Sequence, residues 1–116
     1  MRMEITTRKF VCPSCGYPEL DSPPYERMGL PPWLDHGSPP YSQRYGMPSY
    51  DVCPCCGFEF GNDDEPGTAP PQTFAEYLAD WAATGCVWFA PSRKPKGWTL
   101  EEQLRRAGIH YDKPVA

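Results

Sequence analysis

Cys12-Pro13-Ser14-Cys15-Gly16 and Cys53-Pro54-Cys55-Cys56-Gly57 repeat one short pattern, Cys-Pro-x-Cys-Gly, in a chain of 116 residues. The two-residue gap lets both sulfurs of one turn reach the same tetrahedral ion. Proline after the first cysteine presets φ near the value a tight turn needs. Glycine after the second accepts positive φ, so the chain folds back beneath the ion and aims N–H groups at sulfur. Two such turns face to face present four thiolates. Cys12, Cys15, Cys53 and Cys56 are therefore the expected metal ligands. Zinc is the expected ion at a tetrahedral all-sulfur site, and iron is the alternative, since it takes the same four ligands. A shell closed by four thiolates leaves no position for water or substrate, so the site reads as structural and the chain as a non-enzyme.

Other residues with metal or nucleophile chemistry weigh less. Cys53 and Cys56 reproduce the spacing of Cys12 and Cys15, which leaves Cys55 as the variable residue of its turn, near the ion but not bound. Cys86 reads as a small buried apolar residue, and His36 and His110 as surface residues. Four ordinary core thiols are the plainer alternative, but the matched proline and glycine positions argue against it. A nucleophilic Cys55 would sit beside a net-negative centre that opposes thiolate formation. No Ser-His-Asp order, phosphate loop or scaffolded carboxylate pair accompanies it.

The elements that must position these turns can be read from periodicity. Residues 8–12 and 49–53 read as short strands entering the two knuckles. Residues 57–61 leave the second, with Phe58 and Phe60 alternating about Glu59. Thr73 and Glu76 form a capping box ahead of Phe74, Tyr77, Leu78 and Trp81, which share one helical face. Gly85 stops that helix. A second helix starts at Thr99, with Glu102 completing another capping box. Its stripe is Leu100, Leu104 and Ala107, with Arg105 and Arg106 in the last turn and Gly108 at the end. Residues 86–90 between the helices are apolar enough to pack or to pair. Residues 21–49 hold Pro23-Pro24, Pro31-Pro32 and Pro39-Pro40 among Tyr25, Trp33, Tyr41 and Tyr45, a composition that disfavours helix and central strand. A loop of that length is functional or mobile.

The expected fold is therefore α+β: a small zinc-ribbon or rubredoxin-like β part with two knuckles, plus two C-terminal helices. Residues 1–116 form a single domain, with a metal-binding β part over 1–67 and a helical part over 68–116. The 16 prolines and 10 glycines leave a modest core, for which a metal cross-link compensates. Formal net charge is −4, which argues against a nucleic-acid module. The basic clusters at 8–9, 93–96 and 105–106 read as solvated surface. The N-terminal residues carry no signal-peptide pattern, and no apolar run reaches membrane-spanning length, so no membrane partner and a cytoplasmic setting with reduced thiols are expected.

Two families share parts of this pattern. Phe10-Val11-Cys12-Pro13-Ser14-Cys15-Gly16-Tyr17 and Cys53-Pro54-Cys55-Cys56-Gly57 resemble the two knuckles of rubredoxin, which implies one-electron transfer at an iron tetrathiolate. The 37 residues between Cys15 and Cys53 and the helical C-terminal half depart from it. Residues 50–64, with the order Trp81, Gly85, Trp88, Lys94-Pro95, Trp98 and Gln103-Leu104, resemble small bacterial cysteine-rich proteins named for a Cys-Pro-Cys-Cys motif. That resemblance covers most of 50–107 and implies a zinc-ribbon-like metal-binding protein of unassigned activity, with immunity or partner-binding roles among its relatives. Here the motif occupies the second knuckle, and the first reads Cys-Pro-Ser-Cys.

The expected function is accordingly a metal-stabilised module that binds a protein partner. Two surfaces are candidates for that contact: the aromatic loop 21–49 and the acidic connector 62–65. The competing expectation is that the loop aromatics cap a small core and the acidic run is a solvated turn.

Overall fold

Each cysteine turn is closed by its own backbone. In the computed structural model, which describes residues 9–33, 35–67 and 70–111, the Gly16 N–H donates to the Cys12 carbonyl at 2.8 Å and the Cys12 N–H to the Tyr17 carbonyl at 2.9 Å. The second turn repeats both bonds, Gly57 to Cys53 at 2.9 Å and Cys53 to Phe58 at 3.0 Å. Gly16 and Gly57 stand at φ +86° and +84°, a region that side chains disfavour. The repeat in sequence is thus a repeat in hydrogen bonding.

The arms of the two turns do not become strands. Among the described residues, β-pairing is limited to isolated antiparallel bridges: Phe10 with Leu20, Val52 with Glu59, and Tyr25 with Pro48. This corrects the expectation of β-hairpins over 8–12, 49–53 and 57–61; Arg8 lies outside the described residues. Pro18 removes a donor just beyond the first turn. Tyr50, at φ +63°, breaks the extended run ahead of the second.

Among the described residues, three α-helices complete the architecture. The first, α1 (Ser42–Tyr45), is a single turn inside the proline-rich stretch, where no helix was expected. The prolines stand ahead of it, where a missing N–H costs least. Helix α2 (Phe74–Ala83) opens on the full capping box, with Thr73 Oγ1 accepting from the Glu76 N–H and Glu76 Oε1 accepting from the Thr73 N–H, both at 3.0 Å. It buries Phe74, Leu78 and Trp81. Helix α3 (Leu100–Ala107) has only half of its expected box. Thr99 accepts from the Glu102 N–H, but the Glu102 carboxylate turns away to Arg105 and Arg106. A 3-10 turn at Pro91–Arg93 precedes it.

Residues 86–90 pack and are tied to the second knuckle by backbone hydrogen bonds, without forming a β-bridge among the described residues. Trp88 is buried, while the Phe89 and Ala90 N–H groups donate to the Cys55 and Pro54 carbonyls at 3.0 and 2.8 Å. Trp88 lies edge-on to Tyr17 and to Trp98. Its indole Nε1 is buried without a hydrogen-bond partner among the described residues.

The tyrosines of loop 21–49 are core. Tyr25 is fully buried, Tyr41 is 2 % exposed and Tyr45 is 9 % exposed. Tyr41 stacks on Phe74 at 3.9 Å, and Tyr25 meets the rings of Tyr41, Tyr45, Phe60 and Phe74. One buried carboxylate fastens the loop. Asp64 Oδ2 accepts from the Tyr25 hydroxyl at 2.8 Å and the Tyr41 N–H at 2.9 Å, and Oδ1 accepts from the Gly61 N–H at 3.0 Å. The acidic connector therefore points one of its charges inward. No helix of the described residues is long and apolar enough to cross a membrane.

Candidate metal centre

The two turns meet tip to tip. Cys12, Cys15, Cys53 and Cys56 place all four sulfurs within 4.8 Å of one another. Across the pair, Cys12 and Cys56 sulfurs lie 3.9 Å apart, and Cys15 and Cys53 sulfurs 3.7 Å apart. Both separations far exceed the roughly 2.05 Å of a disulfide. They match the edge of a tetrahedron of sulfurs at about 2.3 Å from a central ion, which is about 3.8 Å. The donor set, its number and its spacing therefore fit one metal ion.

Burial and charge agree with that fit. Cys12, Cys15 and Cys53 are fully buried and Cys56 is 4 % exposed. Burial pushes the Cys12, Cys15 and Cys56 thiols up. In Cys53 the same burial is outweighed by hydrogen bonds from the other three, which hold it well below the usual thiol value. Burial of four sulfurs at one point disfavours their ionised forms, and a bound cation would displace the thiol protons.

The variable residues of the two turns carry the helices. Ser14 donates from Oγ to the Phe74 carbonyl at 3.0 Å, fixing the start of α2 to the first turn. Its counterpart Cys55, fully buried, has its sulfur 3.5 Å from Gln103 Nε2 on α3. The same amide nitrogen donates to the Cys15 carbonyl at 3.0 Å. Gln103 thus ties α3 to both turns, and its Oε1 accepts from the Trp98 indole at 2.9 Å. From α2, Tyr77 donates its hydroxyl to the Cys56 carbonyl at 3.2 Å. Gly16 faces α3 so closely that a Cβ there would stand 3.1 Å from Ala107 Cβ and from the Gln103 carbonyl.

Cys55 therefore lies beside the four-sulfur cluster and outside it. Cys86 is half-buried rather than buried, in a groove on the other side of α3 that it shares with His110. His36 is half-buried rather than exposed, with Nδ1 2.7 Å from the Tyr45 hydroxyl. The hydrogen-bonding roles of Gln103, Tyr77 and Asp64 escape a reading of the sequence, although spacing does place Tyr77 on the packed helical face, because an amide, a phenol or an acid carries no mark of the partner it will find. No protein-family profile, curated protein or solved structure matches this chain.

Proposed function

We propose that this chain is a non-enzymatic zinc protein in which Cys12, Cys15, Cys53 and Cys56 form a structural cross-link for a protein-binding module. The observation that carries the reading is the convergence of four buried sulfurs within 4.8 Å, with spacing suited to a closed tetrahedron. Zinc is the ordinary occupant of such a sulfur set. Bound there, it supplies folding energy, on the order of 10 kcal/mol in small zinc peptides. The chain's own residues do the rest: Ser14, Tyr77 and Gln103 transmit the fixed turns to α2 and α3.

Resemblance to the Cys-Pro-Cys-Cys proteins supports a partner-binding role. The chain's net charge of −4 disfavours nucleic acid as that partner. The loop tyrosines are buried, and of the large apolar side chains that stay exposed, Met47, Tyr50, Val87 and Phe89 among them, the adjacent pair Val87 and Phe89 at 67 % and 64 % is the strip we assign to the partner. Substituting lysine at both positions abolishes binding of a partner isolated with the native protein, if the strip is the contact. Buried thiols held apart suit a reducing, cytoplasmic setting.

A rubredoxin-like iron centre is the second reading. It rests on the same four sulfurs, which iron accepts as a ligand set, and on the resemblance of the two turns to rubredoxin knuckles. The deciding experiment is elemental analysis with an absorption spectrum on protein purified from its native host. Colourless protein with one zinc per chain supports the first reading. Coloured protein with iron supports the second. Neither metal at stoichiometry overturns both.

A further inference from the structure

A cleft of about 400 Å³ lies between the first knuckle, residues 93–99 and α3. That volume falls within the range of small-ligand sites. Its base is formed by Gly16, Tyr17, Gln103 and Ala107, and Trp98 lines one wall. The wall is held in place from several sides. The Trp98 indole donates to Gln103, meets the rings of Trp81 and Trp88 at steep angles, and has Lys94 Nζ 5.4 Å from its centroid. Tyr17 is buried, packs edge-on against Trp88, and its hydroxyl accepts from Arg93 at 3.4 Å.

The charge at this cleft runs against that of the chain. Five of the chain's 11 lysines and arginines fall between residues 93 and 106, although the net charge is −4. Arg93, Lys96 and Arg106 line the cleft together with two carboxylates, Glu19 and Glu102. Glu102 already accepts from Arg105 and from Arg106 Nε at 2.9 Å. Arg106 keeps its terminal amino groups, and Lys96 makes no ion pair among those the described residues form.

We propose that this cleft binds a small organic anion with a flat apolar body. The body lies against Trp98, and the anionic end sits between Arg93 and Lys96, where guanidinium and ammonium donors give charge-assisted hydrogen bonds. The cleft adjoins the first knuckle, but none of the four sulfur ligands lines it, so the proposal does not depend on which ion they hold.

The test is an NMR titration of the protein as purified, with metal content measured on the same samples. The probes are phenyl phosphate and benzoate, with inorganic phosphate and benzyl alcohol as the charge-only and body-only controls. The expected result is saturable shifts of the Trp98 indole and the Gly16 and Gly97 amides with at least one aryl anion, about fivefold or more tighter than with either control. The tighter of the two aryl anions identifies the preferred head group. Arg93→Gln with Lys96→Gln weakens that binding about tenfold or more and leaves metal content unchanged. The proposal is overturned if neither aryl anion saturates below about 10 mM, if inorganic phosphate or benzyl alcohol binds equally well, or if the double variant binds as the parent does.

Discussion

Replacing Asp64 separates a fastened core loop from a surface tract. Three buried donors converge on this carboxylate, from Tyr25, Tyr41 and Gly61, at 2.8, 2.9 and 3.0 Å. Asp64→Asn preserves shape. With its oxygen at the Oδ2 position it keeps the Tyr25 and Tyr41 bonds, now to a neutral acceptor. Its amide then meets the Gly61 N–H donor against donor. One orphaned buried donor and two weakened bonds cost about 2.5 kcal/mol. Asp64→Ala orphans all three donors, at about 1–3 kcal/mol each. Water entering the vacated space relieves part of that, which leaves about 4 kcal/mol. With a urea m-value of roughly 1.5 kcal/mol/M for a small domain, the denaturation midpoint of the metal-loaded protein falls by about 1.7 M for Asn and about 2.7 M for Ala. Tryptophan fluorescence follows the transition. Metal content is unchanged in the Asn variant, because no Asp64 bond is made to a cysteine. An Asn variant within about 0.3 M of the parent, or two variants of equal midpoint, refutes the reasoning.

Three further outcomes are expected. Gly16→Ala combines positive φ with contacts of 3.1 Å against α3 and costs about 2–3 kcal/mol by thermal or urea unfolding, whereas Gly108→Ala, at φ +70° with nothing within 4 Å, costs only about 1 kcal/mol; equal costs would remove the argument that α3 is clamped on the knuckle. Cys55→Ser retains one metal ion per chain and Cys56→Ser does not, as read by elemental analysis, and the reverse pattern reassigns the ligand. Burial lowers the His36 pKa from its usual 6.5, with Arg44 adding to the effect and Asp35 opposing it. The unfolded chain therefore takes up the proton first. The stability that His36 contributes is full above pH 6.5 and is lost as pH falls through the folded-state value. Unfolding midpoints between about pH 7.5 and pH 5 with zinc in excess should show that slope in the parent and lose it in His36→Gln, and identical profiles would contradict it.

The cysteine cluster was legible because its chemistry and its turn geometry are written in the same five residues. Cysteine, proline and glycine each serve a local need, and local needs survive any tertiary arrangement. Helices α2 and α3 were legible for a related reason: Thr73 with Glu76, and Thr99 with Gly108, mark ends that depend on neighbouring residues alone. The strands were over-read. Alternation at Phe58 and Phe60 reports burial of both rings, and burial of alternate residues does not require a ladder. Tyr50 left the extended region, which no pattern around it signals. The loop at 21–49 admits two readings, as a contact surface or as aromatics capping the core, and its tyrosines follow the second. Its prolines correctly excluded long elements, but its tyrosines found a core because Asp64, 39 residues beyond Tyr25, reaches back to satisfy a hydroxyl. A buried acid among Asn62, Asp63 and Glu65 has no local mark that separates it from solvated neighbours. The ties of Ser14 and Cys55 to the helices were hidden in the same way, since each stands in a turn where almost any residue fits.

The central claim is that four cysteine sulfurs, and nothing else, surround one cation. X-ray absorption at the metal K-edge of the purified protein measures this directly. Four sulfur scatterers at about 2.3 Å with no nitrogen or oxygen in the first shell is the expected result. A shell with fewer than four sulfurs, or one that includes a histidine nitrogen or a water oxygen, would contradict the closed tetrathiolate and reopen the question of catalysis.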